Sequence, residues 1–283
     1  MRVLHGGEPL TFDDDLVIEG NNAEVLPRVP DGFFDLVYVD PPFNTGRRQA
    51  RRTLAVQAAA DGERTGFAGR RYRTQVLESL SYADDHRADY LGFLGPRLEH
   101  ARRVLAPHGT LYLHLDYREA HYAKVLLDEL FGRDAFLNEL VWAYDYGGRP
   151  RDRWPAKHDT ILVYVRTPGA HHFDAEAVDR EPYMAPGLVT PEKAARGKRA
   201  SDTWWHTIVP TNGAEKTGYP TQKPEGIVRR MVQASSRPGG WCLDFFAGSG
   251  TLGAVCAKLG RRYVLIDSNP EAIAVARRRL TLT

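Results

Sequence analysis

Apolar runs and helically spaced apolar positions alternate along this chain. Short runs rich in β-branched and aromatic residues, bounded by turn residues, predict buried strands at 16–18, 35–40, 110–115, 161–165, 241–246 and 263–266. Apolar residues that recur at intervals of three and four predict helices over 89–105, 119–131, 227–234 and 251–259. The range 44–80 has no clear period, and 168–220 is rich in proline, glycine and polar residues. Strands that alternate with helices predict an α/β fold with a doubly wound sheet.

The strand predicted at 35–40 ends in a turn with the sequence Asp40-Pro41-Pro42-Phe43. Open α/β sheets bind ligands at the carboxyl ends of their strands, so this turn is placed to meet a ligand. The two prolines supply no N–H groups, which leaves the Asp40 carboxylate and the Pro41 carbonyl as neighbouring acceptors beside an aromatic ring. Such a surface suits a planar ring with an exocyclic amino group, as in a nucleobase. The alternative for this tetrapeptide is a proline turn that ends the strand, with Asp40 as a solvated acid.

Two acceptors next to an aromatic amine have a specific chemical use. The nitrogen of such an amine is a poor nucleophile because its lone pair is delocalised into the ring. Acceptors that bind both N–H bonds draw electron density onto the nitrogen and favour a pyramidal geometry, which frees the lone pair to attack an electrophilic carbon. Acceptors of this kind are most effective when they are preorganised in a site that excludes water.

A second strand and helix enclose a glycine-rich loop. Gly248, Gly250 and Gly253 match the pattern G-x-G-x-x-G between the strand at 241–246 and the following helix. The next strand ends in Asp267, about 20 residues further on, where a ribose diol is usually held. The loop and the acid predict a cofactor that contains adenosine, but they do not separate a dinucleotide from S-adenosylmethionine. A hydride-transfer enzyme has no use for paired acceptors around an amine, whereas an amino-methyltransferase needs them.

Together these segments resemble the β-group DNA amino-methyltransferases of the adenine-N6 type. In that group a D-P-P-[YF] motif precedes the F-x-G-x-G cofactor loop, which is a circular permutation of the commoner order. The resemblance covers residues 16–145 and 200–280, with its clearest matches at 20–26, 40–46, 218–224, 267–270 and 279–280. It implies a doubly wound, Rossmann-like methyltransferase sheet with circularly permuted motif order and an inserted target-recognition region.

The resemblance also implies an activity, which is site-specific methyl transfer from S-adenosylmethionine to the N6 amine of an adenine in double-stranded DNA. The adenine must be flipped out of the helix because an amine inside a duplex cannot present its lone pair to the donor. Cytosine-N4 methylation is the nearest alternative, although an Asp before the two prolines favours adenine in this family. A dinucleotide oxidoreductase and a catalytically silent DNA-binding subunit are alternatives from other classes.

By position, the resemblance assigns catalysis to Asp40, Pro41, Pro42 and Phe43, with the first two binding the amino group and Phe43 stacking on the flipped base. It assigns cofactor binding to Asn21, Asp40, Thr221, Lys223, Phe246, Ala247, Gly248, Ser249, Gly250, Thr251 and Asp267. The loop from 246 to 251 wraps the methionine part of the cofactor, Asp267 holds the ribose, and Thr221 and Lys223 lie near the methionine end. Asn21 stands where the family often has Asp, and Phe245 stands where it usually has Pro.

We expect three regions: a catalytic half at 1–142, a target-recognition region at 143–215 and a cofactor-binding half at 216–283. The expected catalytic half contains a mobile basic loop at 44–80, in which eight arginines stand against two acids between residues 47 and 73. Basic side chains of this kind grip phosphates without regard to sequence. In the target-recognition region basic and aromatic residues are interleaved, a mixture that suits contact with DNA: Tyr144, Tyr146, Arg149, Arg151, Arg153, Trp154, Lys157, Trp204 and Trp205.

The composition indicates the size of the fold and the cellular compartment of the protein. With 283 residues and 42% apolar content the chain can build one α/β core with an insert. Its two cysteines, Cys242 and Cys256, lie in core-like segments, which is typical of a reducing cytosol. No apolar run approaches the roughly 18 residues of a membrane span, and the N-terminus lacks a signal-peptide pattern. We therefore expect a cytoplasmic protein that associates with the bacterial nucleoid through its substrate and not with a membrane.

The remaining signals are weak or open. The net charge of +2 is too small to argue for nucleic acid. His114 and Asp116 alternate along one predicted strand, and His121 follows, but hydrogen bonding in the core or at a helix cap is favoured over a metal. We therefore expect no metal site. The sequence leaves open the recognition site, the formation of a homodimer, as relatives commonly form, and the existence of a cognate restriction enzyme.

Overall fold

The computed structural model describes residues 1–45, 47–58, 64–65, 71–84 and 89–281, and between 47 and 84 it describes only the backbone. The expected basic loop at 44–80 falls largely on this range, so its arginine side chains lie outside the described residues. In the described part of the chain no helix combines the length and the apolar character that a membrane span requires.

Fourteen strands are present in the described residues. In chain order they are β1 (Arg2–His5), β2 (Leu16–Glu19), β3 (Phe34–Val39), β4 (Arg47–Ala58), β5 (Arg64–Thr65), β6 (Arg71–Asp84), β7 (Leu105–Leu115), β8 (Phe136–Ala143), β9 (His158–Val165), β10 (Arg180–Glu181), β11 (Lys198–Arg199), β12 (Thr203–Trp205), β13 (Trp241–Asp244) and β14 (Arg262–Asp267). Nine of them form one sheet in the order β1-β2-β14-β13-β3-β7-β9-β8-β12. The pairs from β1 to β7 are parallel, and β9 runs antiparallel to both of its neighbours.

Helices cover both faces of this sheet. The helices are α1 (Asn22–Val25), α2 (Tyr90–Val104), α3 (Ala120–Phe131), α4 (Pro191–Arg196), α5 (Glu225–Ser235), α6 (Thr251–Lys258) and α7 (Pro270–Thr281). Side chains of β3 alternate between the two faces, so Val37 and Val39 pack with α2 and α3, while Leu36 and Tyr38 pack with α5 and α6. A parallel sheet buried on both faces needs near-continuous apolar strands, and β3 is buried at every position. The doubly wound α/β prediction is confirmed.

The direction of winding reverses between β3 and β13. From β13 the chain passes through α6 to β14 on one side, whereas from β3 it proceeds to β7 on the other side. These two strands are neighbours and run parallel, with Leu36 paired to Cys242 and Tyr38 paired to Asp244. Such a switch point opens a crevice at the carboxyl ends of the two strands, and ligands of open α/β sheets bind there.

The structure contains elements that the hydrophobic pattern did not predict. The range 44–80 had no clear period, yet β4 and β6 pair along their length as an antiparallel ribbon. The strand β8 was not predicted because Asn138 and Glu139 interrupt its apolar positions, and both are exposed in the structure. In the Pro- and Gly-rich range 168–220 the elements are short, namely β10, β11, β12 and α4.

Candidate functional site

A cavity of about 670 Å³ lies at the switch point, between the turn after β3 and the loop after β13. Its walls contain twelve further predicted site residues besides Asp40: Asn21, Pro41, Pro42, Phe43, Thr221, Lys223, Phe246, Ala247, Gly248, Ser249, Thr251 and Asp267. Gly250, the remaining predicted residue, does not line the cavity but precedes α6. The tertiary structure therefore brings together two motifs that are more than 200 residues apart in the sequence.

The acceptor turn after β3 is held by contacts on both sides. Pro41 is buried, and the Pro42 carbonyl accepts a hydrogen bond of 2.9 Å from the Tyr90 hydroxyl at the start of α2. The Phe43 ring lies 5.8 Å from the ring of His114, centroid to centroid. Because the two prolines also restrict the backbone, the Asp40 carboxylate and the Pro41 carbonyl belong to a rigid segment.

Lys223 connects the acceptor turn to the opposite wall. Its Nζ donates to Asp40 Oδ1 at 2.7 Å and lies 4.5 Å above the centroid of the Phe43 ring. Both side chains of the ion pair are largely buried, with 10% of Lys223 and 17% of Asp40 exposed. The backbone carbonyl of Lys223 accepts a hydrogen bond from the Thr251 hydroxyl, so the residue also touches the start of α6. Two residues earlier, Thr221 has a φ of 56°, which is rare for a β-branched residue and marks a constrained backbone.

The glycine loop after β13 is organised by its own backbone N–H groups. Gly248 and Gly250 have φ values of 48° and 71°, a region that glycine enters without strain. The Gly248 N–H donates to Asp267 Oδ2 at 2.8 Å, and the Asn269 N–H donates to the other oxygen of that carboxylate at 2.8 Å. Burial raises the pKa of Asp267 above its ordinary value, and these backbone N–H groups oppose the rise.

Gly250 determines how closely the loop packs on the last helix. A Cβ at this position would lie 2.9 Å from the Cβ of Ala276 in α7, closer than packed side chains approach. The residue therefore shapes the loop from behind the cavity wall and does not contact the cavity directly.

Asp244, the last residue of β13, lines the cavity and was missed in the sequence. It is 3% exposed, and its Oδ1 accepts a hydrogen bond of 2.9 Å from the Phe246 N–H. Burial raises the pKa of Asp244 well above the ordinary range, the carboxylates of Asp40 and Asp267 add to the rise, and the charge of Lys223 opposes it. Its position in the sequence could have identified it as a site residue. Asp244 is the last residue of its strand, and Asp40 directly follows the neighbouring strand.

A second missed group comes from α1 and α2. The Asn22 side chain donates to the Phe245 carbonyl at 2.7 Å, and Arg97 Nε donates to Asn22 Oδ1 at 2.7 Å. The Arg97 guanidinium also lies 4.0 Å above the Phe93 ring, and burial lowers the pKa of Arg97. These side chains line the cavity. The only signal in the sequence concerned α2, because Phe93 and Arg97 belong to the face that an amphipathic helix turns inward.

Asn21 has a structural role next to this wall. Its side-chain oxygen accepts a hydrogen bond of 3.1 Å from the Ala23 N–H and caps the short helix α1. Asn is among the residues preferred at this position, since its side chain satisfies a free N–H at the helix start. The residue also lines the cavity.

A buried chain of polar groups lies behind the acceptor turn. The Tyr38 hydroxyl is 2.9 Å from His114 Nδ1, and His114 Nε2 is 3.1 Å from Asp159 Oδ2. The Tyr144 hydroxyl donates to the other oxygen of Asp159 at 2.9 Å. Burial is the largest influence on the pKa of Tyr38, which lies well above its ordinary value. His114 therefore has hydrogen-bond partners within the core, one of the arrangements that the sequence interpretation expected.

An exposed surface continues from the cavity along the same edge of the sheet. The strands β8 and β12 run parallel to each other, and β8 is antiparallel to β9, which is antiparallel to β7. The carboxyl ends of β8 and β12 therefore lie at the edge that carries Asp40. From this edge project Trp205, which is 77% exposed, and the loop 144–157 with Tyr146 at 65% and Trp154 at 94% exposure.

The loop 144–157 is closed at its base. The Lys157 ammonium donates to the carbonyls of Tyr146 and Gly147 at 2.9 and 3.0 Å, and the Tyr144 N–H donates to the Lys157 carbonyl. The tip carries Arg149 and Arg153, whose side chains are 77% and 75% exposed. A loop with exposed arginines and an exposed aromatic ring therefore lies at the same edge of the sheet as the cavity.

Comparison with known proteins identifies relatives by sequence. A family model described as DNA methylase, of the N6/N4 methyltransferase type, matches residues 34–278. The type II methyltransferase M.HpaI of Haemophilus parainfluenzae is 31% identical over 268 residues, which cover 94% of this chain and 74% of that protein. The DNA adenine methyltransferase YhdJ of Escherichia coli (strain K12) is 27% identical over 285 residues, covering 97% of this chain and 86% of that protein.

Solved structures share the fold. The PvuII DNA methyltransferase, which is cytosine-N4-specific, superposes with a TM-score of 0.65 at 14% identity and covers 95% of this chain and 90% of that one. The complex of M1.HpyAVI with SAM superposes with a TM-score of 0.58 at 18% identity, covering 93% of this chain and 98% of that one. Fold, motif order and the extent of the family match agree, and the chain belongs to the N6/N4 family of DNA methylases.

Proposed function

We propose that this protein is a site-specific DNA methyltransferase that transfers a methyl group from S-adenosylmethionine to the N6 amine of an adenine flipped out of double-stranded DNA. One observation carries the proposal: the rigid acceptor turn at Asp40 and the glycine loop after β13 line a single cavity. An amine bound by the turn and a cofactor bound by the loop are therefore brought together, which is what a direct transfer needs.

The residues at the glycine loop fit the cofactor. A Cβ on Gly248 would lie 3.2 Å from the Tyr219 ring, so a larger residue would crowd the side of the cavity on which the loop lies. The carboxylate of Asp267 lines the cavity at the position where a ribose diol is usually held. S-adenosylmethionine supplies an activated methyl group on a positively charged sulfur, and M1.HpyAVI has been solved with SAM. We assign the methionine part to the loop and to the wall formed by Thr221 and Lys223, and the ribose to Asp267.

The acceptor turn performs the step on the nitrogen. The Asp40 carboxylate and the Pro41 carbonyl accept the two N–H bonds of the amine, and Phe43 stacks on the base. The lone pair of the nitrogen would then form the new bond to the methyl carbon, while the bond from that carbon to the positively charged sulfur breaks and its electron pair stays on sulfur. The nitrogen carries an extra proton after transfer, and a carboxylate at hydrogen-bond distance is suited to receive it. Asn21 contributes the cap of α1, which holds the adjoining wall.

Adenine is favoured over cytosine by two observations. YhdJ, an adenine methyltransferase, is 27% identical over nearly the whole chain, and the turn begins with Asp rather than Ser. The PvuII enzyme methylates cytosine N4, but its 14% identity relates the two proteins by fold alone. Cytosine-N4 transfer is the second candidate, because cytosine presents an exocyclic amine of the same chemistry to the same acceptors.

We propose that target reading falls to the loops of 143–215. The strands β9 and β12 of this range belong to the central sheet, so the parts free to meet DNA are the loop 144–157 and the segments around β10 and α4. The ranges 1–142 and 216–283 then supply the catalytic and the cofactor-binding half of one core. Arg149 and Arg153 are positioned to contact phosphates, and Trp154 offers a face on which a base can stack.

The decisive experiment is to sequence the DNA of a methylation-deficient host that expresses the protein, with detection of modified bases. We expect N6-methyladenine within one short sequence motif, and mass spectrometry of digested DNA identifies the modified base independently. N4-methylcytosine at a single motif would replace the adenine assignment by the second candidate. Unmodified DNA from a host containing folded protein would overturn the proposal in favour of a silent DNA-binding subunit.

The exposed loop gives a separate test of the DNA-facing edge. Trp154 is 94% exposed, so Trp154→Ala removes no core packing and should leave the melting temperature unchanged. Stacking of a base on an aromatic ring contributes about 1–3 kcal/mol, which predicts a dissociation constant for duplex DNA about tenfold higher. Val125→Ala is the matched control, since Val125 is 59% exposed on α3 and lies outside the range 143–215. Equal binding by both variants would remove Trp154 from the interface.

A further inference from the structure

The ammonium of Lys223 contacts both Asp40 and Phe43, the two side chains that we assign to the target base. Its Nζ is 2.7 Å from Asp40 Oδ1, the carboxylate proposed to accept the amine, and 4.5 Å above the centroid of the Phe43 ring, the proposed stacking surface. A base cannot stack on that face of the ring and bind that oxygen while a charged –NH₃⁺ group occupies the same space.

We propose that Lys223 is a placeholder for the target amine: its ammonium occupies the amine position on Asp40 and Phe43 in the free protein, and the entering base displaces it. The inference rests on the proposed function, because it takes Asp40 and Phe43 as the groups that receive the base. Lys223 is a positioning residue in this scheme, since it acts on the Asp40 carboxylate and not on the reacting atoms.

The backbone around Lys223 is anchored, so the movement belongs to the side chain. The Gln222 side chain accepts from the Thr217 N–H at 2.9 Å and donates to the Glu215 carbonyl at 2.6 Å, and Lys223 itself accepts from the Thr251 hydroxyl. The lysine side chain has four rotatable carbon bonds and changes direction without moving these contacts. Displacement of the ammonium therefore does not require the cavity wall to open.

An acid near the cavity can accept the displaced charge. Burial raises the pKa of Asp159, but His114, the charge of Lys223 and the Tyr144 hydroxyl together bring it below its ordinary value. The Asp159 carboxylate therefore lies within electrostatic reach of Lys223, and it is hydrogen-bonded to His114 and Tyr144. The ammonium can thus leave Asp40 while it stays close to negative charge, which limits the cost of the exchange.

The exchange explains why a lysine is useful at this place. An unpaired carboxylate in a largely buried cavity is costly, and the lysine compensates Asp40 as long as no base is present. A base that lacks N–H groups facing Asp40 cannot replace the ammonium as a donor, so the ion pair opposes entry of the wrong base. Specificity of this type comes from a penalty on the competitor as well as from contacts with the correct partner.

The test compares Lys223→Met with wild type. Methionine keeps the unbranched stem over Phe43 and removes the charge, so the base enters without breaking an ion pair. We expect the dissociation constant for a duplex carrying the methylated motif, measured with S-adenosylhomocysteine present, to fall about tenfold, the factor that corresponds to about 1.4 kcal/mol. Binding of a duplex without the motif should not change. Lys258→Met is the matched control, because Lys258 pairs with Glu225 on the surface and is 52% exposed.

A second variant keeps the test informative if Lys223→Met does not fold. Lys223→Arg preserves the charge and strengthens the pair with Asp40 through its planar fork, so the dissociation constant for the same duplex should rise several-fold.

The placeholder role is overturned if Lys223→Met raises the KM for S-adenosylmethionine while DNA affinity stays constant, because the lysine then anchors the cofactor. It is also overturned if kcat falls while DNA affinity is constant or weaker, because the ammonium then orients Asp40 during transfer.

The same assays separate this inference from the proposed function. Wild-type protein that transfers no methyl group to any DNA contradicts the proposed function. Wild-type protein that methylates normally, together with a Lys223→Met variant that binds its duplex no more tightly, contradicts the placeholder role alone.

Discussion

The strands β3 and β13 are neighbours in the sheet, run in the same direction and end at the same cavity, yet the turns that follow them differ in chemistry. After β3 come two prolines, which supply no N–H groups and leave the oxygens of Asp40 and Pro41 as the polar atoms of the turn. After β13 comes a loop in which Gly248 and Gly250 adopt positive φ values and donate their N–H groups to Asp267 and to the Ala247 carbonyl. One turn places acceptor atoms at the cavity, and the other uses its donors to hold its own backbone.

The two turns show that the position of a site and its chemistry have different origins. The switch point between β3 and β13 follows from the order of strands, and any α/β protein with that order has a crevice there. The four or five residues after each strand then decide which atoms face the crevice. A fold of this type can therefore host many reactions, and we propose that the Asp-Pro-Pro-Phe turn restricts this one to an amine.

The two aspartates at these strand ends differ in their exposure and in their partners. Asp40 is 17% exposed and pairs with the ammonium of Lys223, whereas Asp244 is 3% exposed and accepts from the Phe246 N–H. The first carboxylate is available to a ligand once its partner leaves. The second holds the backbone of the glycine loop, and burial raises its pKa.

The largest effect is expected from the acceptor turn. Asp40→Ala removes one of the two acceptors, and loss of a single preorganised electrostatic contact lowers kcat by a factor of about 10²–10³. Because the glycine loop is untouched, binding of S-adenosylmethionine should persist in calorimetry. Incorporation of labelled methyl groups into DNA measures the activity, and a variant with normal activity would reject the role of Asp40.

A smaller effect is expected from the glycine loop. Gly250→Ala introduces a Cβ at 2.9 Å from Ala276 Cβ in a residue whose φ is 71°, so strain and overpacking add to about 1–3 kcal/mol of lost stability. Binding of S-adenosylmethionine should weaken with it. Gly239→Ala is the control, because Gly239 has a φ of 77° but open space around its Cβ position. If the control loses as much stability and as much cofactor binding, the contact with α7 has no special role.

The smallest effect is expected from Asp244→Asn. The folded-state pKa of Asp244 lies above the unfolded value, so the folded protein binds more protons between these two pKa values and wild-type stability falls as pH rises through that range. The amide keeps an oxygen for the Phe246 N–H and does not ionise, so the variant should lose part of this pH dependence. Urea unfolding at pH 5 and pH 8 measures it, with the exposed Asp14→Asn as control. An unchanged slope between the two pH values would show that Asp244 is ionised in the folded protein throughout this range, which contradicts the raised pKa.

Much of the fold was readable from local pattern. The predicted strands and helices correspond to β2, β3, β7, β9, β13, β14, α2, α3, α5 and α6, because buried strands and amphipathic helices need particular apolar spacings. The pattern did not reveal β8, whose polar residues interrupt its period, or the ribbon of β4 and β6, two strands that pair with each other. Local spacing carries no information about such partners.

The residues of the candidate site also divide into those that local sequence reveals and those that it does not. The motifs around Asp40 and Gly248 were visible because their chemistry resides in adjacent residues. Asp244, Asn22 and Arg97 were missed, since each acquires its place only from neighbours far along the chain. Asn21 was expected at the cofactor, and in the structure it caps α1 at the edge of the cavity.

The sequence alone determined what each turn can offer, because proline removes a donor and glycine permits positive φ wherever they occur. Only the tertiary structure decided that the two turns share a cavity, because that depends on the order of β13 and β3 in the sheet. It also brought Lys223 to Asp40 across 183 positions and Asn22 to Phe245 across 223. Contacts at such separations result from the packing of whole strands and helices, and no local spacing of residues encodes them.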